Sequence, residues 1–456
     1  MATIVTSPRS APTATSSPRA LAAVVLAGVL VRVGILSLPA LHQALATRPE
    51  LVTATSSLAR VREGALLFAH VGSPYAGDVF HQPPLVFALF HAARGFEAAL
   101  LVAVDVLLAL GFARLARRTL ALEEGVVPRD SANREIWLHR IPVSPLFTRA
   151  QLPVTAAAIC LFNPYSLASS GALSTVSLTH LAVLYSLVYA AEGAAVSSMA
   201  CTAIGTYLSV YPAALVVPIF LQLQLAKASS SPQPSTSLLV VCAASFALAL
   251  GLLLYLSYSL SGGWGFVDET YVWIAKYSDL TPNVGVFWYF FMEVFDRFIP
   301  YFLFVLHIHP CIYVYPLLLR LKHRPQAYAT ALVGIFTLFQ AYPTLGDFGF
   351  FLTAMALHPK TIMTIESRYV YALGLAAATC MLPVMWFLWL FPASGNANFF
   401  YNQTLVYQIF NSQVISAFVG ATMKRDKDLQ KYRKRVLAAG GAALSPTAAA
   451  GAVWKE

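Results

Sequence analysis

Long apolar runs recur from residue 21 to residue 421, and short polar turns separate them. Crossing a bilayer takes about 20 apolar residues in a helix. The runs are continuous rather than alternating, so they predict helices and exclude the closed β-barrel, the other form that spans lipid. The first, 21–41, is interrupted by Arg32 and follows a Ser/Thr/Pro/Ala-rich stretch, 1–20, that reads as disordered. No small-residue cleavage site follows this long run, so an anchor is expected rather than a signal peptide.

Residues 42–83 are polar. Within them, 56–68 sets Leu58, Val61, Ala65 and Phe68 on one face and charges on the other, the pattern of an interfacial amphipathic helix. A turn-rich stretch, Gly72-Ser73-Pro74-Tyr75-Ala76-Gly77-Asp78, leads into His81-Gln82-Pro83-Pro84. A short apolar piece at 85–90 precedes the run 96–113, which carries Asp105. A highly charged loop is expected over 114–150, then spans at 152–170 and 172–191. The run 196–225 should break at Tyr211-Pro212, because proline removes a helix hydrogen bond. After a linker at 229–237 come a span at 238–260, an aromatic, slightly acidic loop at 261–284 and an interfacial stretch at 285–295. Further spans fall at 300–319 and 326–343, a short run at 348–357, and the last two spans at 369–391 and 400–421. The fold class expected is an all-α polytopic membrane protein with about twelve membrane segments, several short or broken. Residues 1–20 form its N-terminus, 21–421 the membrane domain, and 422–456 a basic, then Ala/Gly-rich, tail.

Composition agrees. The chain is 58% hydrophobic and 11% charged, with a mean hydropathy of +0.66, against about 25% charged in ordinary soluble domains. The net charge of +10 is no sign of a nucleic-acid partner, because the basic residues are confined to a few loops and the tail. The clusters at 114–149, 320–324, 360–368 and 424–435 should face the cytoplasm. Both termini are then cytoplasmic. The loops 42–83, 165–174, 261–284, 342–347 and 392–402 share the opposite face, the lumen in a secretory-pathway membrane.

Signs of catalysis are sparse. The five cysteines lie inside apolar runs and read as packing thiols. The ten histidines show no metal-ligand spacing, and no nucleophile elbow or phosphate loop is present, so neither a metal nor a cofactor is expected. Asp105 within a span is functional by default, but pairing with Arg32 or Arg94 would make it structural. Glu293 and Asp296 are placed one turn apart on an aromatic helix over 287–298, either to hold an amine or a cation or as a solvated face. Another stretch stands out, Phe391-Pro392-Ala393-Ser394-Gly395-Asn396-Ala397-Asn398-Phe399-Phe400-Tyr401-Asn402, a polar island between two apolar runs. Asn396 and Asn398, with Ser394, suit the hydroxyls and phosphate oxygens of a lipid head group, and Phe399 and Phe400 suit its acyl chains or a sugar face. Alternatively the asparagines only cap helices and turn the chain. Asp78, His81, Asn283, Glu293, Asp296 and Asp347 are secondary binding candidates.

Five stretches carry a resemblance: 73–81 (SPYAGDVFH), 161–165 (LFNPY), 281–291 (TPNVGVFWYFF), 342–347 (YPTLGD) and 393–401 (ASGNANFFY). In order and spacing they resemble the class U subunit family of the glycosylphosphatidylinositol (GPI) transamidase, over residues 21 to 421. The resemblance implies a complex in the endoplasmic reticulum membrane that joins GPI to proproteins, with catalysis in a separate class K cysteine-protease subunit. It implies class S, class T and GPI attachment protein 1 as further partners, with the GPI glycolipid and membrane lipids as ligands. It also implies a scaffold similar to GPI mannosyltransferases, of the glycosyltransferase-C type. Those enzymes carry a DxD-like acidic motif early in the first loop, and Glu50-Leu51-Val52-Thr53-Ala54-Thr55 lacks it. A non-catalytic GPI-binding subunit is therefore expected. An active mannosyltransferase using dolichol-linked mannose, with Asp78 as its acid, is the alternative. A transporter would need two similar halves, and none is visible.

Overall fold

The computed structural model describes residues 17–126, 144–148, 150–228 and 236–438. Those residues are almost wholly helical; the β pairing among them is one isolated bridge, Ser57 to Ser174. The chain begins with α1 (Pro18–Leu36) and α2 (Pro39–Ala46). Next come α3 (Leu58–Val71), α4 (Pro84–Ala92) and α5 (Glu97–Val126). Helices α6 (Leu152–Phe162) and α7 (Pro164–Gly171) meet at a 47° bend, followed by α8 (Val176–Ala191), α9 (Ala195–Leu208) and α10 (Val216–Ala228). After α11 (Thr236–Ser261) lie α12 (Gly265–Val267), α13 (Trp273–Lys276) and α14 (Phe287–Glu293). The rest is α15 (Ile299–Ile312), α16 (Val314–Leu321), α17 (Pro325–Phe339), α18 (Leu345–Ala356), α19 (Pro359–Met363), α20 (Arg368–Leu390) and α21 (Ala397–Ala438).

Local chemistry explains the breaks. Ser57 caps α3 by accepting from the Arg60 amide, and Gly72, at φ +82°, ends it in the left-handed conformation that glycine adopts without strain. Asn163 makes the α6–α7 bend: its Oδ1 accepts from the Tyr165 amide at 3.0 Å, and Pro164 opens the new helix. Tyr211-Pro212 starts a 3-10 turn between α9 and α10, as the sequence predicts. Thr344 and Asp347 form a reciprocal capping box at the start of α18.

Helices α17 and α18 are buried on nearly every side. Around them pack α5, α6, α7, α8, α10, α15, α16 and α21, and α20 lies along α21. Five described segments are long and apolar enough to cross a membrane: α1, the first part of α5, α11, the stretch 296–321 and α20; the bent pair α6–α7 adds a sixth as one broken span. On α1, α11, α15 and α20, large apolar side chains such as Leu30, Leu248, Phe304 and Leu373 stand exposed. Bare apolar surface of this extent belongs against hydrocarbon, so the chain is a multi-pass membrane protein.

Four elements differ from the sequence expectation. The span expected over 152–170 is two helices bent at Asn163-Pro164. Helix α5 continues past residue 113 to Val126, and α21 past 421 to Ala438. Arg, Ala, Leu, Glu and Lys keep a helix going after hydropathy falls. The helix predicted over 287–298 ends at Glu293, and Asp296 begins a separate 3-10 turn. Pro300 forces this, since its ring would clash with the carbonyl of residue 296 in a continuous helix. Most of the charged loop, the linker and the ends of both tails lie outside the described residues.

Candidate functional site

Four of the five sequence motifs meet on one side of the molecule, tied together by hydrogen bonds and rings. The Leu345 amide donates to the Glu50 carbonyl at 2.8 Å, and Arg48 clamps the Glu50 carboxylate at 2.6 and 3.0 Å. Tyr342 Oη donates to the Asp279 carbonyl and accepts from its amide, each at 3.2 Å. The Asp279 carboxylate accepts from Arg60 at 2.7 Å and from the Thr281 amide at 2.8 Å. Burial pushes this carboxyl upward, but the Thr281 hydrogen bonds and the Arg60 charge outweigh it and hold it below its ordinary value. A column of rings runs from His81 to Trp273 (3.6 Å), Tyr342 (5.6 Å), Tyr277 (4.7 Å) and Phe287 (5.2 Å).

The polar island joins this side through α14. The island is a turn, 391–396, leading into α21. Ala393 takes φ +51°, and Ser394 Oγ and the Gly395 amide both reach the Leu388 carbonyl. Asn396 is the helix cap, its Oδ1 accepting from the Asn398 amide at 3.0 Å. Asn398 does something else. It is exposed, and its amide lies beside the Tyr289 hydroxyl, with the Glu293 carboxylate close to the same group. Tyr401 stacks on Tyr289 at 4.5 Å, and its hydroxyl reaches the Val286 carbonyl at 3.4 Å. Phe400 is fully buried between Trp288 (6.0 Å) and Trp386 (5.2 Å), and Arg48 lies over Trp386 at 5.8 Å. Phe399 and Phe391 stand exposed at the rim. So Phe400 supports the rim from beneath, whereas Phe399 presents its ring.

The remaining candidates separate. Asn283 is buried, donating to Tyr277 Oη at 3.0 Å and accepting from the Gly285 amide at 2.7 Å; it shapes the turn. Asp347 is occupied by its own cap and by His180 Nε2 at 3.0 Å. Glu293 and Asp296 are exposed, and Glu293 alone is drawn to the island. Asp105 pairs with Arg32 at 2.7 Å, and that guanidinium also donates to the Leu161 carbonyl (2.8 Å) and Ser166 Oγ (2.9 Å). Beside this pair a cavity of about 40 Å³ is lined by Ser169, Ser170, Ser174 and Ser177, whose hydroxyls have no hydrogen-bond partner among the described residues. It has room for about two or three waters.

Asp78 and His81 gather in a different arrangement. Asp78, at φ +53°, accepts from the Trp273 indole N–H at 3.0 Å and lies 3.2 Å from His81 Nε2. His81 Nδ1 meets the Glu269 carbonyl at 2.8 Å, and the Glu269 carboxylate approaches the same point. Glu269 sits 188 positions from His81, so local spacing gives no hint of it.

Buried short helices, lipid-facing long ones and a polar rim define a multi-pass membrane protein. The family described as GPI transamidase subunit PIG-U matches residues 26–407, and the chain belongs to that family. It is 29% identical to the GPI-anchor transamidase component PIGU of Homo sapiens over 398 residues, covering 85% of this chain and 90% of that protein. It is 29% identical to the GPI transamidase component GAB1 of Saccharomyces cerevisiae over 413 residues, covering 89% and 95%. The GAB1 homolog of Schizosaccharomyces pombe is 27% identical over 383 residues, covering 83% and 88%.

Proposed function

We propose that this chain is the non-catalytic subunit of a GPI transamidase that holds the GPI glycolipid at the island rim. Catalytic Cys and His then lie in another chain, the class K subunit, with class S, class T and GPI attachment protein 1 completing the complex in the endoplasmic reticulum membrane. The observation that carries the reading is the clustering of exposed Asn398 and Glu293 around Tyr289, beside exposed Phe399 and Phe391. Amide, hydroxyl and carboxylate together offer donors and acceptors for the hydroxyls and amines of a glycolipid head group, and the exposed rings suit its acyl chains.

The architecture fits a glycosyltransferase-C-like bundle with residues 21–421 as its membrane domain. Five long helices, the bent pair and five shorter apolar helices make eleven apolar elements, and the apolar part of α21 makes a twelfth. The basic clusters then keep both termini in the cytoplasm.

The test is complementation of cells lacking their own class U subunit. Asn398→Ala combined with Tyr289→Phe should lower the surface level of a GPI-anchored reporter about fivefold or more, as expected for losing at least one net hydrogen bond of about 1 kcal/mol. Co-purification of the partner subunits should be unchanged. Normal reporter levels would reduce the island to a turn.

A further inference from the structure

We infer that Asp78, His81 and Glu269 form a site for one divalent metal cation of the Mn²⁺ or Zn²⁺ type. His81 Nδ1 lies 2.8 Å from the Glu269 backbone carbonyl, and a carbonyl only accepts. Nδ1 therefore carries a proton, and in the neutral ring Nε2 presents a lone pair. That nitrogen is fully buried and makes no hydrogen bond, yet it faces Asp78 Oδ1 at 3.2 Å. Two lone pairs at this distance repel unless a positive centre lies between or beside them.

The Glu269 carboxylate closes the triangle, with one ligand atom from each residue within 4.8 Å of the others. Two carboxylates and a neutral imidazole carry a charge of −2, and among the described residues neither acid pairs with a Lys or Arg. With bonds of about 2.1 Å, adjacent ligands sit about 3.0 Å apart in an octahedron and about 3.4 Å apart in a tetrahedron. The Nε2–Oδ1 separation falls between the two, and the Glu269 ligand atom, within 4.8 Å of both, moves inward to complete the set. One nitrogen and two carboxylate oxygens suit Mn²⁺ or Zn²⁺ better than the all-oxygen preference of Ca²⁺.

The surroundings are those of an oriented ligand set. A metal-binding histidine ordinarily donates its other N–H to a carbonyl or carboxylate, as His81 does to Glu269. Trp273 stacks on the imidazole at 3.6 Å and 9°, fixing its plane, while its indole N–H holds Asp78. Glu269 projects from a π-helical turn, Asp268–Val272, a rare conformation found often at functional sites. The Asp78 side chain is 76% exposed, so the cation reaches the site from solvent and keeps open positions for water.

The test uses the purified full-length chain in lipid nanodiscs. Titration with Mn²⁺, followed by loss of the free-ion electron paramagnetic resonance signal, should show one saturable site, displaced by Zn²⁺. Quenching of Trp273 emission should track it and vanish in Trp273→Phe. Asp78→Asn combined with Glu269→Gln should weaken binding at least tenfold without changing the elution profile, while Glu293→Gln leaves it unaltered. Asp78→Asn alone, at an exposed side chain, serves if the double variant misfolds. Absence of saturable binding, or equal binding by the Asp78 variants, would overturn the assignment; in that case Nε2 takes a proton rather than a metal.

Discussion

At the scale of single residues, the same residue type does unlike jobs two positions apart. Asn396 and Asn398 flank one alanine, and the sequence offers both as ligand amides or as caps. The structure makes Asn396 the cap and leaves Asn398 outward against Tyr289. Helix phase decides this, and phase depends on where α21 starts, which a run of small and polar residues does not specify. Asp105 was easier to interpret, since an acid inside an apolar run needs a partner; the sequence offers Arg32 and Arg94, and the structure pairs it with Arg32. Breaking that pair from one side leaves a buried, uncompensated charge. Arg32→Met alone should cost about 3–5 kcal/mol, read as a lower thermal midpoint in detergent. Adding Asp105→Leu should recover most of it. If the single variant is as stable as the parent, the pair has no structural role.

At the scale of elements, proline and asparagine marked the breaks well and hydropathy marked helix ends poorly. Tyr211-Pro212 divides the chain where the sequence suggests, whereas Asn163-Pro164 bends a run expected as one span, 152–170; both act through the local backbone. The ends of α5 and α21 were hidden, since hydropathy registers where lipid stops and not where a helix stops. The contact between α20 and α21 was hidden as well. Gly374 lets Phe410 lie directly against the α20 backbone, and a Cβ there would overlap the Phe410 ring. Gly374→Ala should therefore push the two helices apart and lower yield and thermal stability. Phe410→Ala in the same chain should restore much of the loss, at the cost of its own cavity. Additive losses in the double variant would show that the two residues do not couple.

At the scale of the whole molecule, the motifs scattered between residues 73 and 401 become one polar side. Their convergence was partly visible, because orientation by basic clusters puts these loops on a single face. Which loops touch was not visible: the links from Glu50 to Leu345, Arg60 to Asp279 and His81 to Glu269 span from 188 to 295 positions. Buried helices such as α17, 15 residues long, extend only about 22 Å and pack inside the bundle, while longer, lipid-facing helices surround it. That arrangement leaves the island rim open beside α14, and the account assigns the glycolipid to it. The most direct measurement is lipid mass spectrometry on the complex purified through this chain. GPI should co-purify with the parent and fall severalfold with Asn398→Ala plus Tyr289→Phe, with subunit composition unchanged. Retention of equal GPI by that variant would contradict the assignment of the rim as the glycolipid site.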